Sequence, residues 1–390
     1  MHMKVLAVGG GSGGHVTPVV AVIREIARQR PAVEFEFWCD KKFSQQAKKI
    51  LAEYDAAIPV KTITSGKLRR YNTLPLWRHI VEPTILWPNL RDGFFVGIGF
   101  IQSLFLLFKY RPDVVFTKGG FVCLPVGYAA ALLKIPLVIH DSDAHPGLTN
   151  RLLAPYATAI ATGSPLKYYN YPVKKSRYVG IPVDAAFKEQ PDQVAAVKQK
   201  YKLPVDAPLV VITGGGLGAR NINNAIMRAR NRLLKKSSIV LISGKAQYNE
   251  LSQQLTEEGG ADNFVLLEFV SGGMAELLNA ADAVIARAGA TTLLELAALK
   301  KPSIIVPNAL LTGGHQLKNA QVYVDAQAAI VVDEAEMISD EGVLVHAVEG
   351  VLNMSLSERQ AMGERFYKFA RPQAAQDVAE MIIDAAKIKH

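Results

Sequence analysis

The chain has 390 residues, 49% of them hydrophobic and 20% charged, which excludes a disordered or low-complexity protein and leaves room for two domains, each with its own core. The formal net charge of +9 is uneven: residues 1–182 carry 23 Lys+Arg against 11 Asp+Glu, and residues 183–390 carry 21 against 24, so the first half is the one expected to meet a polyanion, either anionic lipid or nucleic acid. Two cysteines, Cys39 and Cys123, stand far apart with no CxxC spacing, which excludes a disulfide framework or a cysteine-rich metal site and reads as reduced thiols in a cytoplasmic protein.

The opening MHMKVLAVGGG shows no long apolar run followed by a cleavage site, so no secretion signal is expected. Lys4 to Val8 reads as a buried strand, GGGSGG as a tight turn and Val16 to Arg28 as a helix. Gly9, Gly11 and Gly14 fit GxGxxG, which places backbone amides and a helix N-terminus where a phosphate can sit. His15 follows at the mouth of this loop, where a proton acceptor is useful. A dinucleotide enzyme would place an acid after the second strand, and Asp40 after EFWC keeps a nicotinamide-dependent oxidoreductase open.

From Lys61 to Arg111 eight basic residues face two acids, interleaved with Leu74, Trp77, Leu86, Trp87, Leu90, Phe94 and Phe95. Arg69, Arg70, Trp77, Arg78, Trp87 and Arg91 have the composition of an interfacial patch on anionic lipid. No nucleic-acid-binding motif accompanies the charge, so no nucleic-acid partner is expected. The longest apolar segment, Gly93 to Phe108, is 16 residues, shorter than the roughly 20 needed to span a bilayer. It reads as a helix buried in protein or lying on the bilayer.

Strand and turn recur at Val114 to Phe116 before KGG, and at Leu137 to Ile139 before HDSD. Past Pro182 and Pro191 the pattern restarts with strand Leu209 to Thr213, turn GGGLGA and helix Arg220 to Leu234; further strands read at Ile239 to Ile242, Val265 to Leu267, Ala283 to Ala286, Ser303 to Val306 and Ile330 to Val332. Such βα repetition predicts an α/β chain of two doubly wound parallel sheets, Rossmann-like, facing one another across a cleft. The boundaries read as 1–182, 183–370 and a C-terminal helical stretch 371–390 crossing back toward the first domain. In the second half the turn Thr213 to Ala219 suits a diphosphate, and Arg287-Ala288-Gly289-Ala290-Thr291-Thr292-Leu293-Leu294-Glu295 combines turn amides, hydroxyls and a carboxylate able to accept from two ribose hydroxyls. Gly313 to Ala320, with His315 and Gln316, is a polar cluster suited to a sugar.

GGGSGGHVTP, TKGGFVCLPVGYAAALLKIPLVIHDSDAHPGLTN, GGGLGARNIN, ARAGATTLLELAALKKPSIIVP and GGHQLKNA occur in this order, and together they resemble the MurG-type N-acetylglucosaminyltransferases of peptidoglycan synthesis over nearly the whole chain. The resemblance implies a GT-B fold, UDP-N-acetylglucosamine as donor and inverting transfer to the muramoyl 4-hydroxyl of undecaprenyl-pyrophosphoryl-N-acetylmuramoyl-pentapeptide. This would take place at the cytoplasmic face of the membrane, with the protein peripheral and with no metal or cofactor required. It implies His15 as general base; Ser12, Gly13 and Gly14 facing pyrophosphate; Gly119, Gly120 and Asp143 on the acceptor side; Gly215, Gly216 and Arg220 near phosphate. It further implies Val270 reading uracil through its backbone, Ala290 to Leu294 holding phosphates, Glu295 the ribose, and His315 with Gln316 the sugar hydroxyls. The chain departs from the family pattern at Gly216, where a serine is usual, at His140-Asp141-Ser142-Asp143, and at Asp184, where a phosphate-facing arginine is usual; Arg220 or Lys245 could substitute for that arginine. Asp141-Ser142-Asp143 also spells DxD, which in a different glycosyltransferase architecture holds a divalent metal. A nucleotide-sugar-binding protein without transfer activity remains the other alternative.

Overall fold

The computed structural model describes residues 3–10, 13–52, 54–66, 83–142, 146–190, 193–215, 218–270, 272–308 and 315–388, without the side chains of 13–15, 83–85, 315, 318 and 319. It divides into two compact units, one of Met1–Asp184 with Arg371–His390 and the other of Ala185–Ala370.

The first unit runs β1 (Lys4–Val8), α1 (Gly13–Gln29), β2 (Glu34–Cys39), α2 (Ser44–Ala52), β3 (Val60–Thr62), α3 (Pro83–Tyr110), β4 (Val114–Thr117), α4 (Cys123–Leu132), β5 (Leu137–Asp141), α5 (Leu148–Leu153), β6 (Ala159–Thr162) and β7 (Ser176–Tyr178). Its strands form one parallel sheet in the order β3-β2-β1-β4-β5-β6-β7. Side chains alternate across a strand, so β1 feeds two cores: Val5 and Ala7 pack among α1 and α2, while Leu6 and Val8 pack under α3 and α4. Both faces being covered, the strands are continuous apolar runs.

The second unit runs α6 (Val194–Lys200), β8 (Leu209–Thr213), α7 (Arg220–Leu233), β9 (Ser238–Ile242), α8 (Tyr248–Glu257), β10 (Phe264–Leu267), α9 (Met274–Ala280), β11 (Ala283–Ala286), α10 (Ala290–Ala298), β12 (Ser303–Ile305), α11 (His315–Asp325), β13 (Ile330–Val331), α12 (Glu334–Ser339), α13 (Glu341–Asn353) and α14 (Leu356–Tyr367). Its parallel sheet is ordered β10-β9-β8-β11-β12-β13. Leu209 and Val211 face one core, Val210 and Ile212 the other.

The last helix, α15 (Ala374–Ala386), lies on α1 and buries Val378, Ala379, Ile382 and Ile383 in the core of the first unit. Each larger aliphatic side chain so buried contributes about 1.5–3 kcal/mol. Arg177 pairs with Asp377 at 2.7 Å, and the Arg371 guanidinium lies over the Tyr178 ring at 4.7 Å.

Helix α3 corrects one expectation. It is 28 residues long, and its stretch Leu86–Tyr110 is long and apolar enough to cross a membrane by length and composition, so the 16-residue run underestimates it. Nor is it a core helix: only 17% of its most apolar window is buried. One side is sutured to the unit, since Gln102 accepts from Thr64 N and donates to Thr62 O, both at 2.9 Å, and Ser103 and Leu107 are fully buried. The other side exposes Trp87, Leu90, Phe94, Ile98, Ile101, Phe105 and Phe108, a helical stripe about 30 Å long at 1.5 Å per residue.

Burial pushes the thiols of Cys39 and Cys123 up to about 12, so both are inert at neutral pH. His140, fully buried in β5, bonds through Nε2 to the Gly180 carbonyl at 2.8 Å. A carbonyl only accepts, so Nε2 carries the hydrogen, and Nδ1 is left without a partner. Burial, reinforced by the Lys118 charge, holds this imidazole well below the ordinary histidine range. The unfolded chain takes up a proton near pH 6.5 that the folded chain refuses, so stability is lost as pH falls below about 6.5, by up to about 1.4 kcal/mol per pH unit. Replacing His140→Gln should flatten the fall in denaturation midpoint between pH 6.5 and 5 relative to the unaltered chain; parallel curves for the two proteins would refute this.

Candidate active site

In each sheet the strand order reverses beside the first strand, between β1 and β4 in one unit and between β8 and β11 in the other. Helices leave in opposite directions from such a switch point, so the carboxyl ends of the two strands open onto a crevice where ligands bind.

In the first unit the loops after β1 and β4 meet there. Gly120 has φ +93°, and a Cβ on it would stand 2.7 Å from the Gly10 carbonyl oxygen, so only glycine fits both the backbone and the approach. Gly119 has φ +94° and its carbonyl accepts from the Cys123 thiol at 3.0 Å. Asp40 is buried and its carboxylate accepts from Phe43 N at 3.1 Å, closing the turn into α2. Ser12 and Asp143 lie outside the described residues, as do the side chains of Gly13, Gly14 and His15, although α1 begins at Gly13 as a helix start after the glycine turn requires. Asp141, the first acid of DxD, is buried and accepts from the Tyr171 hydroxyl at 2.6 Å. Lys118, 2% exposed at the end of β4, donates to the Ser142 hydroxyl. Asp184, at the family's arginine position, is 2.5 Å from the Arg24 guanidinium on α1.

In the second unit the loop after β8 is a built turn. Gly218 N donates to Gly215 O at 3.0 Å, and Gly215 N reaches Thr213 Oγ1 at 3.3 Å. Gly218 has φ +76°, and a Cβ there would lie 2.4 Å from the Ser243 carbonyl oxygen. That same oxygen accepts from Asn223 Nδ2 at 2.9 Å, and Asn223 also donates to Gln247 at 2.8 Å, tying the β8 and β9 loops together behind the surface. Gly216 lies outside the described residues. Arg220 is exposed and pairs with Glu250 at 3.3 Å.

Across the switch point, Gly289 precedes α10 in extended conformation, φ −73° and ψ 131°, so the first amides of the helix face its open end. Ala290, Thr291, Thr292 and Glu295 are partly exposed. Leu293 and Leu294 are buried and line the core, Leu293 N already donating to Gly289 O at 2.9 Å. Their side chains therefore cannot meet phosphate, and this part of the sequence assignment is restricted to the helix backbone. Val270 is partly buried. Gln316 accepts from Asn308 N at 2.8 Å, fastening the start of α11 to the loop after β12; the side chain of His315 lies outside the described residues. Arg69, Arg70, Trp77 and Arg78 also lie outside them, whereas Trp87 is 69% exposed and Arg91 pairs with Asp92 at 2.9 Å.

Lys118, Tyr171, Asn223, Gln247 and Glu334 carry no role in the sequence reading. Lys118 had a signal, a lysine ending an apolar strand; the others act on partners 20 or more positions away, which no spacing reveals.

Two family models match the chain: the glycosyltransferase family 28 N-terminal domain over residues 5–162 and the C-terminal domain of the same family over residues 209–378. The UDP-N-acetylglucosamine–N-acetylmuramyl-(pentapeptide) pyrophosphoryl-undecaprenol N-acetylglucosamine transferase of Clostridium kluyveri is 34% identical, over 86% of this chain and 87% of that protein. The protein of the same name from Bacillus cytotoxicus is 32% identical over 92% and 94%. The crystal structure of Acinetobacter baumannii MurG superposes with a TM-score of 0.69 at 24% identity, covering 98% of this chain and 99% of that one, and shows the shared GT-B fold. With identity above 30% along nearly the full length of both relatives, and with both halves matched in order, this chain belongs to the MurG family of glycosyltransferases.

Proposed function

We propose that the protein transfers N-acetylglucosamine from UDP-N-acetylglucosamine to a polyprenyl-pyrophosphoryl-N-acetylmuramoyl-pentapeptide, with inversion at the sugar. The observation that carries this reading is the β8–β11 switch point, where the N-termini of α7 and α10 present backbone amides from two sides. Such amides, with the helix dipole behind them, stabilise the charge that develops on a departing UDP without needing a metal. Glu295, on α10 and partly exposed, is assigned to the ribose; Val270 to uracil through its backbone; Thr291 and Thr292 to phosphate; His315 and Gln316 to the sugar. With Asp184 bound to Arg24, Arg220 is the cation assigned to the place of the family's arginine.

His15 is assigned as the base that removes the proton of the muramoyl hydroxyl, and Gly119 and Gly120 to the acceptor's surroundings. The exposed stripe of α3 is assigned to the membrane that holds the acceptor's lipid. Its inner side is fastened to the unit through Gln102, Ser103 and Leu107, so lipid cannot surround it, and the helix lies in the interface rather than crossing. Arg91, Lys109 and Arg111, all exposed on or beside it, add on the order of 1 kcal/mol each against an anionic surface.

The reading is tested by calorimetry in EDTA with UDP-N-acetylglucosamine, UDP-glucose and NAD, followed by transfer to a short-chain lipid-linked muramoyl-pentapeptide. Metal-free preference for the N-acetyl sugar, with disaccharide formed, is expected; binding of NAD alone would overturn it, and donor binding without product would reduce it to a binding protein. Glu295→Ala should cost on the order of 1.5–3 kcal/mol of donor affinity, and unchanged affinity would remove the ribose assignment. His15→Ala should lower turnover about a hundredfold or more with donor affinity little changed; near-normal turnover would remove it from the base role. The triple variant Phe94→Ser, Ile101→Ser, Phe105→Ser should bind anionic vesicles at least tenfold more weakly while UDP affinity stays constant, and equal vesicle binding would refute the α3 assignment.

A further inference from the structure

Behind the α10 start lies a buried ion pair. Arg287, the residue after β11, and Glu334, the first residue of α12, are each 8% exposed. One guanidinium nitrogen donates to Glu334 Oε1 and another to the Val306 carbonyl at 3.2 Å, just past the end of β12. Asn221, the second residue of α7, donates to that same Oε1 at 2.9 Å. One arginine and one glutamate thus join the ends of β11 and β12 and the starts of α7 and α12. Two of those places, the α7 start and the turn into α10, are the two sides of the switch point.

Resting on the donor reading above, we propose that Arg287 and Glu334 are positioning residues for the donor diphosphate, setting the separation of the α7 and α10 amide clusters. The planar guanidinium forms bonds in fixed directions, so its two anchors, Val306 and Glu334, set where the β11–α10 turn lies. Asn221 carries the same constraint to α7. A diphosphate spans both clusters and is sensitive to their separation. The nucleoside, assigned to α10 and Val270, is not.

The test compares UDP with uridine. Glu334→Gln keeps an oxygen for both Arg287 and Asn221 but removes the charge; Arg287→Lys keeps charge but loses the fork, and serves if the first variant does not fold. Melting temperature establishes folding in each. The dissociation constant for UDP should rise about tenfold while that for uridine changes less than twofold. Equal loss for the two ligands would make the pair merely structural, and unchanged UDP affinity would remove it from the donor site; either result overturns the proposal. Failure of the unaltered chain to bind UDP would instead overturn the donor reading itself.

Discussion

The structure depends on one topological constraint, the reversal of strand order beside the first strand of each parallel sheet. Right-handed crossovers place helices on both faces of such a sheet, and only at the reversal do the loops diverge to leave a gap at the strands' carboxyl ends. Each gap is flanked by glycines and a helix start, Gly9, Gly10, Gly119 and Gly120 with α1 in one unit, and Gly214, Gly215, Gly218 and Gly289 with α7 and α10 in the other. The same architecture occurs twice in one chain, as suits the proposed transfer, in which donor and acceptor both carry a diphosphate.

The loops at these gaps are held from behind by buried side chains. Asn223 bonds the Ser243 carbonyl that Gly218 approaches, and Arg287 bonds the Val306 carbonyl beside the α10 turn. A buried polar group left without its partner costs about 1–3 kcal/mol, so losing one of these bonds is costly to the loop it holds. The first unit uses the same device with other residues: Tyr171 on Asp141, Lys118 on Ser142, Arg24 on Asp184. Asp141 and Asp184, two of the positions where the chain departs from the family pattern, are thereby absorbed into the unit's own bonding.

The sheets are legible because the buried strands are short apolar runs, β1 and β8 among them ended directly by glycine. Lys4 to Val8, Leu209 to Thr213 and Ala283 to Ala286 coincide with β1, β8 and β11 residue for residue. The sequence reading omits β3, β6 and β7: Val60–Thr62 and Ser176–Tyr178 are three residues each at the sheet edges and carry no alternation, and Ala159–Thr162 is only four residues long. The apolar run understates helix α3 because Pro88 and Arg91 interrupt the run without interrupting the helix. Position within a motif does not say which way a helical side chain points, and Leu293 and Leu294, within the stretch assigned to phosphate, have buried side chains. Candidate site positions are legible as glycine turns and helix starts, whereas the hydrogen bonds and ion pairs behind them join residues as far apart as Asn221 and Glu334 and leave no mark in a single sequence.

The most direct test of the central claim, that the donor diphosphate is seated at the β8–β11 switch point, is a crystal structure of the protein with UDP-N-acetylglucosamine in metal-free buffer. The account predicts phosphate oxygens within hydrogen-bond distance of the backbone amides of the 214–219 turn and of the first turn of α10, with Glu295 on the ribose. A diphosphate held only by the loop after β1, with 214–219 and α10 untouched, would contradict it.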